Sequence, residues 1–157
     1  MNKKDEVKSA ALRLFAKKGY ASTSMAEIAE QVNLNKASLY FYIKSKQELY
    51  LLVIEEEFNT YMEAVEKMFN SLKGESIETL LFQTVKTMME QISDDTFLLW
   101  KRTMLMTVSD IDDDIRQPLK KILGSFERHI LYILNQFLRS KNINIDDDRA
   151  TDFAAAF

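Results

Sequence analysis

Asn33-Leu34-Asn35-Lys36-Ala37-Ser38-Leu39-Tyr40-Phe41-Tyr42-Ile43-Lys44-Ser45-Lys46 is the stretch that decides how this chain is read. Asn33 tolerates the left-handed backbone of a tight turn, and Asn35 has the side chain of a helix N-cap. Leu39 is the inward anchor of a short helix expected over residues 36 to 42. Ser45-Lys46-Gln47-Glu48 has the form of a capping box and opens a much longer helix.

Toward the N-terminus, Thr23-Ser24-Met25-Ala26-Glu27 offers another capping box, in which Ser24 and Glu27 exchange bonds with each other's backbone amides. Ile28, Ala29 and Val32 give the helix that follows a narrow apolar face about two turns long. Two short helices joined by Asn33-Leu34-Asn35 make a helix-turn-helix. Before them, Val7, Ala11, Leu14 and Phe15 mark one face of a first helix over residues 3 to 18, and Gly19 suits its closing turn.

Toward the C-terminus, Leu51, Ile54, Phe58, Tyr61, Met62, Val65, Phe69 and Leu72 recur at helical steps. A helix from Lys46 to about Leu72 would be roughly 40 Å long, enough to join a small head to a separate body. Further helices are expected over residues 76 to 92, 97 to 108 and from about 115 to 137. Acidic residues at Asp112, Asp113 and Asp114 favour the start of the last of these, with Pro118 tolerated only near that start. The pattern over Ala150 to Phe157 is again helical and has no stop signal, which raises the expectation that the natural protein continues.

Three Gly and one Pro in 157 residues leave little room for hairpins, so the expected fold is all-α. Domain boundaries are expected at residues 1–47 and 48–157. No run of about 18 uncharged apolar residues exists, and Met1 to Glu6 has no apolar signal-like segment, so a cytoplasmic protein is expected. The absence of cysteine excludes disulfides, thiolate metal sites and a cysteine nucleophile. The acidic clusters at Asp110 to Asp114 and at Asn142 to Asp148 fail the calcium-loop pattern at the required Gly and closing Glu positions. With a single His and no paired base and nucleophile, an enzyme is not expected, nor a metal or cofactor.

Charge is unevenly distributed. Residues 1 to 50 hold nine Lys and Arg against five Asp and Glu, for +4, while the remainder of the chain carries −7. A basic head on an acidic body fits a protein whose head alone meets phosphate.

Ala10-Ala11-Leu12-Arg13-Leu14-Phe15, Gly19-Tyr20, Thr23 to Ala29, Val32 to Tyr40 and Lys44 to Leu49, in this order, resemble the N-terminal DNA-binding domain of the TetR family of bacterial transcriptional regulators. Departures are Ile43, where the family commonly has Phe, Phe41, where it often has His, Asn33, where Gly is usual, and Asn35, where Ser or Thr is frequent. The resemblance implies a homodimer that binds a near-palindromic double-stranded DNA operator, most often as a repressor, and is released by a small molecule held in the helical body. Carried over by position, it implies a phosphate contact by Thr23 and a DNA contact by Ser24 at the second helix start. Lys36, Ala37 and Ser38 would then lie at base edges, with Asn35 also among the DNA-binding residues, Tyr40 and Tyr42 at bases or backbone, and Lys46 at phosphate.

In the body, Met88, Met89, Phe97, Trp100, Met104 and Phe126 are candidates to line an adaptable site for a lipophilic effector, although helical spacing fits a plain core equally well. His129 is either a polar anchor in such a site or a core histidine bonded to a neighbour, and the second reading is preferred. The competing reading of the whole is a helical small-molecule-binding or interaction module that does not bind DNA. No membrane partner is expected.

Overall fold

A computed structural model describes residues 2–72, 74–90, 95–105 and 113–140. Seven helices occupy them: α1 Lys3–Lys18, α2 Met25–Gln31, α3 Lys36–Tyr42, α4 Lys46–Ser71, α5 Ile77–Glu90, α6 Asp95–Leu105 and α7 Asp113–Ser140. No strand is present among the described residues. The fold is the expected all-α one, with a helix-turn-helix head joined by the long α4 to a helical body. The segment from residue 141 to Phe157, on which the expectation of a continuing chain rested, lies outside the described residues.

Local chemistry fixes the helix ends. Asn2 and Asp5 form a reciprocal box at the start of α1: Asn2 Oδ1 accepts from the Asp5 amide at 3.0 Å and Asp5 Oδ2 from the Asn2 amide at 3.4 Å. The Ser24–Glu27 box is formed at the start of α2, with bonds of 3.2 and 2.8 Å. At the start of α4 only half of the expected box is present. Ser45 Oγ accepts from the Glu48 amide at 3.0 Å, but Glu48 Oε2 accepts from the amide of Lys44, one residue before the cap, at 2.8 Å. Extended backbone at Ser45 (φ −154°, ψ 163°) places the Lys44 amide within reach of that carboxylate. Pro118 lies in the second turn of α7, later than a first-turn proline, so α7 lacks the bond that residue 118 would donate to the Asp114 carbonyl.

Packing joins head and body through one continuous core, from Val7, Phe15, Ile28 and Leu39 through Leu49, Tyr50, Val53 and Ile54 to Leu99, Ile115 and Leu119. Helix α4 begins inside the head and runs unbroken across residues 47 and 48. Its later turns pack on α7, while α6 packs on α1. Phe15, Tyr20 and Tyr50 form an aromatic cluster at this junction, with centroids of 5.0 Å between Phe15 and Tyr50 and 4.9 Å between Tyr20 and Tyr50. The Tyr50 hydroxyl meets Thr103 Oγ1 at 2.9 Å in the buried junction, and Thr103 also donates to the Leu99 carbonyl at 2.8 Å. Burial raises the Tyr50 phenol above its ordinary pKa, and the bond to Thr103 offsets part of that rise.

Candidate nucleic-acid interface

The turn between α2 and α3 closes on backbone bonds. Asn33 takes the left-handed conformation, φ 55°, and the Leu34 amide reaches back to the Ala29 carbonyl at 2.9 Å. That reversal lets Asn35 cap α3, its Oδ1 accepting from the Ser38 amide at 2.7 Å. Leu39, fully buried, holds α3 against the core. At about 100° per residue, Ala37 and Phe41 fall roughly 160° and 200° around the helix from Leu39, so both face directly outward.

The residues expected at DNA divide into two groups. Ser24, Asn35, Lys36, Ala37 and Tyr40 are exposed, and Ser38 and Tyr42 are half-buried beside them. Ala37 and Tyr40 lie toward the outer side of α3, whereas Tyr42 packs partly against the core. Thr23 and Lys46 instead turn inward. Thr23 is 2% exposed, and its hydroxyl donates to the Gly19 carbonyl at 2.8 Å, with a second contact to the Leu14 carbonyl at 3.3 Å. Lys46 Nζ donates to the Tyr20 and Thr23 carbonyls at 2.8 and 2.9 Å, lies 3.4 Å from the Ala21 carbonyl, and sits 4.2 Å from the centre of the Tyr20 ring. Both side chains are thus engaged inside the protein. They fasten the α1–α2 loop, and with it the start of α2, to α4.

Phe41 was not among the expected contacts, yet it is 87% exposed at the centre of the outward face. Its ring packs edge-on against Tyr42 at 5.4 Å. The signal was available in the sequence as its position on the wheel opposite Leu39. Arg102 was also missed. Its Nε donates to the Ala16 carbonyl at 2.6 Å and its Nη2 to the Lys17 carbonyl at 2.9 Å, so a cation on α6 closes the last turn of α1.

Ion pairs brace the head. Lys18 lies 2.5 Å from Glu27. That contact, with the bonds to Ser24, holds the Glu27 carboxyl far below its ordinary value, at about 2. Lys8 spans Asp5 at 3.2 Å and Glu56 at 2.7 Å, joining α1 to α4. Its hydrogen bond to Glu56 and, less strongly, that to Asp5 raise its pKa.

In the body, Phe97 and Trp100 line a recess of about 160 Å³ with Tyr61, Thr60 and Glu57. Phe126 stacks on Phe58 at 4.5 Å and lies 5.6 Å from Trp100, on the core side of the same aromatic group. His129 is remote from that recess: its Nε2 meets Glu66 Oε1 at 2.6 Å, and its side chain is 43% exposed. It has a neighbouring partner, as preferred, but stands at the edge of the α4–α7 packing and not in the core. The side chains of Met88, Met89 and Met104 lie outside the described residues.

Residues 9–53 match the family described as bacterial regulatory proteins, tetR family. The chain is 30% identical over 122 residues to YerO, an uncharacterised HTH-type transcriptional regulator of Bacillus subtilis (strain 168), covering 76% of this chain and 41% of that protein. It is 38% identical over 60 residues to IcaR, the biofilm operon icaADBC HTH-type negative transcriptional regulator of Staphylococcus epidermidis, covering 38% of this chain and 32% of that one. The chain thus spans less than half the length of either relative. In fold it is similar to the transcriptional regulator FadR of Bacillus subtilis in complex with stearoyl-CoA, with a TM-score of 0.68, 18% identity, and coverage of 97% of this chain and 81% of the other. The order of α1 to α4, the capped turn and the matched residues agree, and residues 9–53 are a helix-turn-helix domain of the TetR family of bacterial transcriptional regulators.

Proposed function

We propose that the protein is a ligand-responsive DNA-binding regulator: a cytoplasmic repressor that binds a near-palindromic operator as a homodimer and is released by a lipophilic small molecule. Residues 1–47 supply the DNA contacts, and residues 48–157 the ligand site and dimer surface. The observation that carries this reading is the exposed surface of α3, where Lys36, Ala37 and Tyr40 are open to solvent while Leu39 is buried, in a segment whose first 50 residues carry charge +4. Side chains placed there reach base edges when the helix enters a major groove, while neighbouring cations meet phosphate. Two recognition helices on successive turns would stand about 34–36 Å apart along the duplex. The negative regulation named for IcaR supports repression, and the acyl-CoA complex of FadR supports a lipophilic effector.

Helix α6 gives the ligand reading a route to the head. Phe97 and Trp100 line the recess on one side of it. Arg102, about 200° around the helix from Trp100, holds the end of α1 on the other. A molecule that displaces α6 would pull on the Ala16 and Lys17 carbonyls.

Titration of a library of operator-length duplexes at several salt concentrations tests the DNA reading. The expected result is a linear fall of log K with log[salt], with a slope near −0.9 for each phosphate neutralised. Absence of any salt-sensitive binding would favour the helical small-molecule-binding module instead.

A further inference from the structure

We infer that Phe41 is a specificity-determining residue that reads a thymine through its C5-methyl group, so that each half-site carries a preferred T·A pair beneath the centre of α3. This rests on the DNA-binding reading above and adds to it a base and an atom.

Position comes first. Phe41 and Ala37 lie one helical turn apart on the line farthest from the buried Leu39, so Phe41 extends at least as far outward as the exposed Lys36 and Tyr40. Its ring is 87% exposed, and edge-on packing against Tyr42 at 5.4 Å restricts the directions it can take. Tyr40, at 42% exposed, continues the aromatic surface on one flank. Lys36 and Lys44, both exposed, place positive charge at either end of the helix, complementary to a phosphate-walled groove.

Chemistry then selects the base. A phenyl ring neither donates nor accepts a conventional hydrogen bond, so it gains nothing from guanine N7 and O6, adenine N7 and N6, or cytosine N4. It would cover those groups and strip them of water. The thymine C5-methyl is the one apolar group that a standard base pair offers in the major groove. Ring against methyl removes apolar surface from water on both sides, and burial of one such carbon corresponds to about a fourfold preference per half-site. For a duplex with two half-sites the preference compounds to about fifteenfold.

The test uses the full 157-residue chain and a randomised duplex library, with wild type, Phe41→Ala and Phe41→Leu selected in parallel. Because Phe41 is on the surface, neither substitution disturbs the core. The wild-type chain should select thymine at one position of each half-site, Phe41→Leu should retain that preference, and Phe41→Ala should lose it while keeping its salt slope. Replacing that thymine by deoxyuridine, which removes only the methyl, should weaken wild-type binding about fourfold per half-site and leave Phe41→Ala unaffected. Equal wild-type binding to thymine and deoxyuridine at every selected position, or an unchanged thymine preference in Phe41→Ala, would overturn the inference and leave the DNA-binding reading standing. No salt-sensitive binding by the wild-type chain would overturn both.

Discussion

Lys46→Ala separates two roles for a cation at the start of α4. The ammonium donates to the Tyr20 and Thr23 carbonyls at 2.8 and 2.9 Å and lies 4.2 Å from the Tyr20 ring centre. Hydrogen bonds to a charged group contribute about 1.5–3 kcal/mol each at their best. Lys46 is half-buried, and after truncation the freed carbonyls can recruit water, so the sum must be discounted. A net loss of about 2 kcal/mol is expected, equivalent to a fall in Tm of about 4–8 °C for a chain of this size. Calorimetric melting of wild type and variant measures that loss. Fluorescence anisotropy with a bound duplex over a salt series measures the other quantity. With the ammonium committed to the loop, the slope of log K against log[salt] should stay the same. A side chain at phosphate would instead lower the slope by about 0.9 per head without affecting the melt. An unchanged Tm together with a reduced slope would refute the structural role assigned to Lys46.

Other substitutions probe the same framework. Glu27 has its pKa lowered from 4.5 to about 2, so its carboxylate stabilises the fold fully above the ordinary value, and this contribution fades as pH falls toward 2. The stability gap between wild type and Glu27→Gln, followed by circular dichroism melts, should close over that interval, and a gap constant from neutral pH to pH 2 would contradict the assignment. Thr103→Val removes one hydrogen bond of the buried Tyr50 hydroxyl and should cost about 1 kcal/mol in urea denaturation, whereas a stability matching wild type would show that the pair is dispensable. Arg102→Ala uncovers the Ala16 and Lys17 carbonyls and should accelerate amide exchange in the last turn of α1 more than in α2; uniform acceleration would deny a local cap.

Helix ends were legible in the sequence where a single side chain acts on backbone three residues away, as at Ser24, Asn35 and Ser45. The bounds of α3 followed from Asn35 at one end and from the loss of pattern after Tyr42 at the other. Reciprocity was less secure, because whether Glu48 reaches Ser45 or Lys44 depends on backbone angles that residue identity does not specify. Roles set by distant partners were not legible. Lys46 meets carbonyls more than twenty residues earlier, and Arg102 meets others more than eighty residues earlier. A resemblance carried over by position sends both Thr23 and Lys46 to DNA, and position alone gives no sign that each also has partners inside the protein. The stripe of α7 located His129 correctly on the packed side, but periodicity does not distinguish the centre of an interface from its rim.

The junction of Phe15, Tyr20 and Tyr50 bears on how the molecule comes apart. A cut after residue 47 would remove Leu49, Tyr50, Val53 and Ile54 from beneath the head, leaving Phe15 and Tyr20 facing water. The helix-turn-helix therefore behaves as a lobe of one cooperative unit and not as a bead on a string, and heating should melt it together with α4 and α6 in a single transition. Evolutionary exchange of the body would carry the same constraint: a new body must bring its own first turns of α4, shaped to receive those two rings.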